Sequence, residues 1–92
     1  MSEGMRLLPW AGPDGQRCYV VGGEGDGYVS QLADHLEEVQ LDTGAELLGH
    51  AADLVAAGRG ATVDELRFCV HRLREALRDA LRVAESRGMR IG

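Results

Sequence analysis

The chain has 92 residues and a formal net charge of −5, with 45% of its residues hydrophobic and 27% charged. That length suits one small domain, the mixed composition excludes a wholly disordered or fibrous chain, and the acidic balance opposes the phosphate attraction on which general nucleic-acid binding rests. With one Trp, two Tyr and one Phe, a monomeric core should be thin, so self-association or a partner is the default expectation.

Cys18 and Cys69 are too few for a disulfide scaffold and lack the paired spacing of a zinc site, which points to a reducing, cytoplasmic compartment. The opening Met1-Ser2-Glu3-Gly4 is not a basic segment followed by an apolar run, and no apolar stretch approaches the roughly 20 residues of a membrane span. Every basic side chain is Arg, and Lys and Asn are absent, a bias that GC-rich bacterial coding sequences produce.

Residues 5–22 read as a β-hairpin, because Met5-Arg6-Leu7-Leu8 and Arg17-Cys18-Tyr19-Val20-Val21 flank Gly12-Pro13-Asp14-Gly15, whose Pro-Asp-Gly is strong turn chemistry. A lone two-stranded hairpin is marginal in water, so it must lie on a helix or join strands of another subunit, with Trp10 as its anchor or as a partner contact. Gly22-Gly23-Glu24-Gly25-Asp26-Gly27 then reads as a flexible loop over 22–27; Glu24 and Asp26 would repel an anion, and the lysine of a phosphate-binding loop is missing.

From Tyr28 to about Ala57, Val29, Leu32, Leu36, Val39, Leu47 and Leu54 fall on one helical face with Thr43. Leu41, Leu48, Ala51 and Val55 widen that stripe beyond what one neighbouring helix would cover, which suggests a second helix from another chain. Gly44 and Gly49, with a Thr43/Glu46 capping pattern, leave open whether this helix is continuous or restarts near residue 43. After the turn Gly58-Arg59-Gly60-Ala61, Thr62 and Glu65 form a capping box that opens a helix over 62–87. In it Leu66, Val70, Leu73, Leu77, Ala80 and Ala84 keep coiled-coil spacing as the expected seam, with Cys69, Ala76 and Val83 alongside. Gly88 is expected to cap it, leaving 88–92 as a loose tail.

Arg67, His71, Arg74, Arg78 and Arg82 form a basic stripe on this last helix, able in principle to hold a phosphorylated or carboxylated ligand, although interleaved Glu75, Asp79 and Glu85 favour a solvated face. Residues 1–61 hold three Arg and ten acids, net −7, and 62–92 hold seven Arg and five acids, net +2, so the halves are complementary in cis or across a dimer. His35, His50 and His71 have no metal-site spacing, with His50 expected to pack half-buried near the apolar stripe; neither cysteine has the surroundings of an activated thiol. No metal, cofactor or catalytic group is expected.

The architecture expected is therefore mainly α: an N-terminal β-hairpin and an antiparallel pair of long helices, two chains associating through Trp10, Leu41, Leu48, Val55, Cys69 and Val83 into a four-helix arrangement. The function expected is a small cytoplasmic interaction or regulatory protein acting by protein–protein contacts. The partners are a second copy and another protein, with no general nucleic-acid or membrane binding. A small-molecule sensor using the Arg stripe is the alternative.

Overall fold

The computed structural model describes residues 4–21 and 27–91, with side chains as far as residue 88. Strands β1 (Met5–Ala11) and β2 (Arg17–Val21) pair antiparallel and precede helix α1 (Tyr28–Ala57), a single 3₁₀ turn (Gly58–Gly60) and helix α2 (Val63–Ile91). In the hairpin turn, the fixed φ of Pro13 suits the second turn position, Gly15 N–H donates to the Gly12 carbonyl at 2.9 Å, and Gly15 takes the positive φ of 82° that returns the chain. The register runs from Met5↔Val21 to Leu7↔Tyr19 and resumes, shifted, at Ala11↔Arg17. Pro9, with no N–H to give a ladder, sits within that irregular stretch. Of the Gly-rich loop expected at 22–27, residues 22–26 lie outside the described residues.

Helix α1 runs unbroken through Thr43 and Gly44, so the restart at Thr43 does not occur. Gly44 faces α2, where a Cβ on it would lie 4.0 Å from the Ala76 Cβ, and packing of the surrounding helix face against α2 outweighs a glycine's helical cost of about 1 kcal/mol. At the start of α2, Thr62 N–H donates to Glu65 Oε1 at 2.8 Å and Glu65 N–H donates to Thr62 Oγ1 at 3.0 Å, the reciprocal bonds of the expected capping box. The other end differs from expectation. Gly88 is not among the glycines with positive φ, and the helix continues through it to Ile91, since a glycine held at helical φ makes no C-cap.

The two helices pack antiparallel, and the seam keeps only part of the apolar pattern: Leu36, Thr43, Leu47, Leu54, Leu73 and Ala80 are covered as expected. On α1 Ser30, Ala33, Glu37, Gln40, Gly44, Leu47, Ala51 and Leu54 are covered in an alternation of three and four, with Leu36 and Thr43 half-buried beside them. On α2 the covered positions are Cys69, Leu73, Ala76, Ala80 and Val83, while Leu66, Val70, Leu77 and Ala84, expected in the seam, are exposed. Small residues alternate with large ones along the seam: Gly44, Ala51, Ala76 and Ala80 interleave with the half-buried Leu47, Leu54 and Leu73. Val29, Leu32 and Val39, expected on the covered face of α1, remain partly open to solvent.

The hairpin lies against the end where α1 begins and α2 finishes. Leu7, Leu8 and Pro9 are buried there. Polar side chains satisfy the β1 carbonyls: Ser86 Oγ donates to Leu7 O at 2.9 Å, Gln40 Nε2 to Pro9 O at 2.9 Å, and Arg82 Nη1 reaches Pro9 O at 3.4 Å. Arg6 ties the strand to α1 through the Ser30 carbonyl at 3.1 Å, Asp34 at 2.6 Å and the buried Glu37 at 3.4 Å.

Candidate functional site

The expected interface residues separate into two groups. Leu41, Leu48 and Val55 are exposed, by 36%, 68% and 78%. Cys69 and Val83 are instead inside the chain's own helix seam, covered by α1 and the hairpin, and line no outward surface. Trp10 is half-buried beside the docked strand.

Exposed aliphatic residues of the two helices gather on one face, while Val29, Leu32 and Val39, each one position before a seam residue, lie on the opposite flank of α1. Leu41, Leu48 and Val55 each follow a seam residue of α1 by one position, Val70, Leu77 and Ala84 do the same along α2, and Val63 lies one heptad before Val70 on the same stripe. A one-residue step rotates by about 100° in a right-handed helix, and reversing the helix direction reverses the sense of rotation seen from a fixed viewpoint. In an antiparallel pair both steps therefore lead to the same side. The contact of Gly44 with Ala76 sets the levels, at which residue numbers sum to about 120. Leu41 thus stands beside Leu77, Leu48 beside Val70, and Val55 beside Val63, in three layers one heptad apart. Val63, Val70 and Leu77 are 68%, 62% and 61% exposed, and Leu66 and Leu81 extend the apolar surface. Ser86 and Arg82, which hold β1, belong to the other flank of α2, so the hairpin leaves this face open.

Charge borders the face asymmetrically. Beyond Val70 and Leu77, α2 carries Arg67, His71, Arg74 and Arg78, all exposed; beyond Leu41, α1 carries Glu38 and Asp42, also exposed. Among the described residues none of Arg67, Arg74, Arg78, Glu38 or Asp42 makes an ion pair, and no ion pair joins α1 to α2. The complementarity of the two halves is therefore not satisfied between the helices of one chain. Arg82, grouped with the basic stripe by spacing, leaves it: its side chain is largely buried, 3.7 Å from Asp79 and against Pro9. Partial burial raises the Asp79 carboxyl above its ordinary 3.8; Arg82 opposes that shift, Glu75 adds to it and Arg78 opposes it.

A shallow depression of about 390 Å³ lies on α2 among Val63, Leu66, Arg67, Val70 and His71. It is an open groove on one helix, part of the apolar face rather than an enclosure for a small ligand. His50, expected to be half-buried, is exposed, as is His35, because the seam lies on the other flank of α1. Among the described residues no group of His, Cys, Asp or Glu is placed to hold a metal, and no helix is long and apolar enough to cross a membrane.

Apolar spacing alone puts Val70 and Leu77 in the intrachain seam and passes over Phe68, which is 65% exposed. The signal that separates the two faces of α2 is residue size: Cys69, Ala76 and Ala80 are small enough for a close helix contact, whereas Val63, Val70 and Leu77 are large and unmatched within the chain. No family model matches this chain, and no curated protein or solved structure is similar to it.

Proposed function

We propose that this chain is a protein–protein interaction module of the cytoplasm that works as a homodimer, its two helical hairpins closing face to face into a four-helix bundle. The observation that carries the proposal is the three-layer apolar face of Leu41/Leu77, Leu48/Val70 and Val55/Val63, left open by a chain whose own buried apolar residues are few. A second copy supplies the same aliphatic surface, and three layers of four side chains are the core that a bundle of this kind contains. The outer surface, with Trp10 and the charged flanks, is what such a dimer offers to a regulated partner. The anion-sensor alternative is less well supported, because Arg82 is occupied by the hairpin and the depression beside Arg67 and His71 is otherwise lined by Val63, Leu66 and Val70, without Arg74 or Arg78.

Light scattering over a concentration series tests the proposal. The mass should be twice the 9.9 kDa of one chain, and Leu48→Glu combined with Val70→Glu should give a folded monomer, since each places a carboxylate in the middle layer. A wild-type chain that stays monomeric at high concentration would sink the reading.

A further inference from the structure

We infer that the two copies meet about a two-fold axis parallel to the helices, so that α1 of each chain lies on α2 of its partner and both hairpins stand at the same end. The inference rests on the dimer proposed above and specifies its geometry. Face-to-face closure with roughly aligned helices leaves two choices of two-fold axis in the interface plane, along the helices or across them.

The charged borders distinguish the two. With the axis along the helices, every residue keeps its level, so the layers stay intact: Leu41 and Leu77 meet the partner's Leu41 and the partner's Leu77. The acidic border of α1 then overlies the basic border of the partner's α2. Asp42 and Arg78 share a level, as their numbers sum to 120, the value set by Gly44 and Ala76. Among the described residues neither has an ion pair within its own chain. With the axis across the helices, α2 lies on its own copy. Arg67 then faces the partner's Arg74, 7 residues apart on the same border, and this like-charge contact offsets the opposite-charge contact that Arg78 would gain with the partner's Asp64. Charge does not favour that arrangement, whereas opposite charges favour the first and set its register. The unsatisfied complementarity between the acidic first half and the basic last helix is thereby met between chains.

The distance between the two Gly58–Gly60 turns tests this. Arg59 is exposed there, and a spin label on Arg59→Cys, in a chain carrying Cys18→Ser and Cys69→Ala, reports the separation by pulsed electron resonance. The inferred axis puts the two turns on one end, with backbones about 10 Å apart. An axis across the helices, centred on the Leu48 layer, puts them on opposite ends at about 35 Å. A second measurement requires no cysteine replacement. Asp42→Arg and Arg78→Asp should each weaken dimerisation about two- to fivefold, and the double reversal should restore it. A dimer by mass with a long label distance, or with single reversals that the double does not rescue, overturns the axis while leaving the dimer standing. A chain that is monomeric by mass overturns both.

Discussion

At the scale of single residues, the junction of hairpin and helices is where polar chemistry is concentrated. Arg6 brings one guanidinium to the Ser30 carbonyl, Asp34 and Glu37, and the nearly inaccessible Glu37 carboxylate makes that strand position specific for a cation. Across the junction, Asp79 is a carboxylate whose charged form is penalised by burial, with Arg82 offsetting part of the penalty. Its pKa is raised on folding, so the folded chain holds that proton more tightly than the unfolded chain does. The contribution of Asp79 to stability is therefore most favourable in acid and is lost as pH rises from its ordinary value of 3.8 through the raised folded value. Denaturant titrations of the wild type and Asp79→Asn between about pH 3 and pH 6 read this directly. The stability of the wild type relative to the variant should fall across that interval, and a flat or rising difference would show that Arg82 outweighs burial.

At the scale of elements, local signals are legible in the sequence and the choice between faces is not. Gly12-Pro13-Asp14-Gly15 and the Thr62/Glu65 box each encode their geometry within a few residues, and both appear in the structure with the bonds their chemistry calls for. The helix seam depends on which of two adjoining stripes meets the neighbour. Hydrophobicity ranks the Val70, Leu77 stripe first, whereas close packing favours the smaller residues beside it. Gly88 misleads for a related reason: glycine permits a helix to end without requiring it. Two glycines separate those roles. Gly58 closes α1 at φ 57° and ψ −121°, a conformation that L-residues avoid, whereas Gly49 is helical and exposed, and a methyl group added there would meet nothing within 4 Å. Gly58→Ala should destabilise the chain by at least about 1 kcal/mol, and Gly49→Ala should stabilise it by roughly 0.5–1 kcal/mol. Urea titrations of both variants compare the two signs, and equal shifts would mean the turn does not need its glycine.

At the scale of the whole molecule, the balance between what is buried and what is left open governs behaviour. The buried apolar set of Leu7, Leu8, Pro9, Ala33, Cys69 and Val83 is concentrated where the hairpin docks and along one narrow seam. In the middle of the helical pair Leu47, Leu54 and Leu73 are half-buried in the seam, whereas Leu48, Val55, Val70 and Leu77 are mostly open to solvent. If a second copy covers them, folding and association are one equilibrium, and mass action makes stability depend on protomer concentration. For a domain of this size that amounts to an unfolding midpoint rising by about 3–5 °C for each tenfold increase in concentration. Calorimetry at several concentrations measures it, and Leu48→Glu provides the internal control. The variant should melt at a lower temperature with a midpoint independent of concentration, since the glutamate blocks the partner without touching the seam or the hairpin junction. A wild-type midpoint that does not move with concentration, equal to that of the variant, would mean that the small buried set stabilises the fold unaided and that the open face contributes nothing to it.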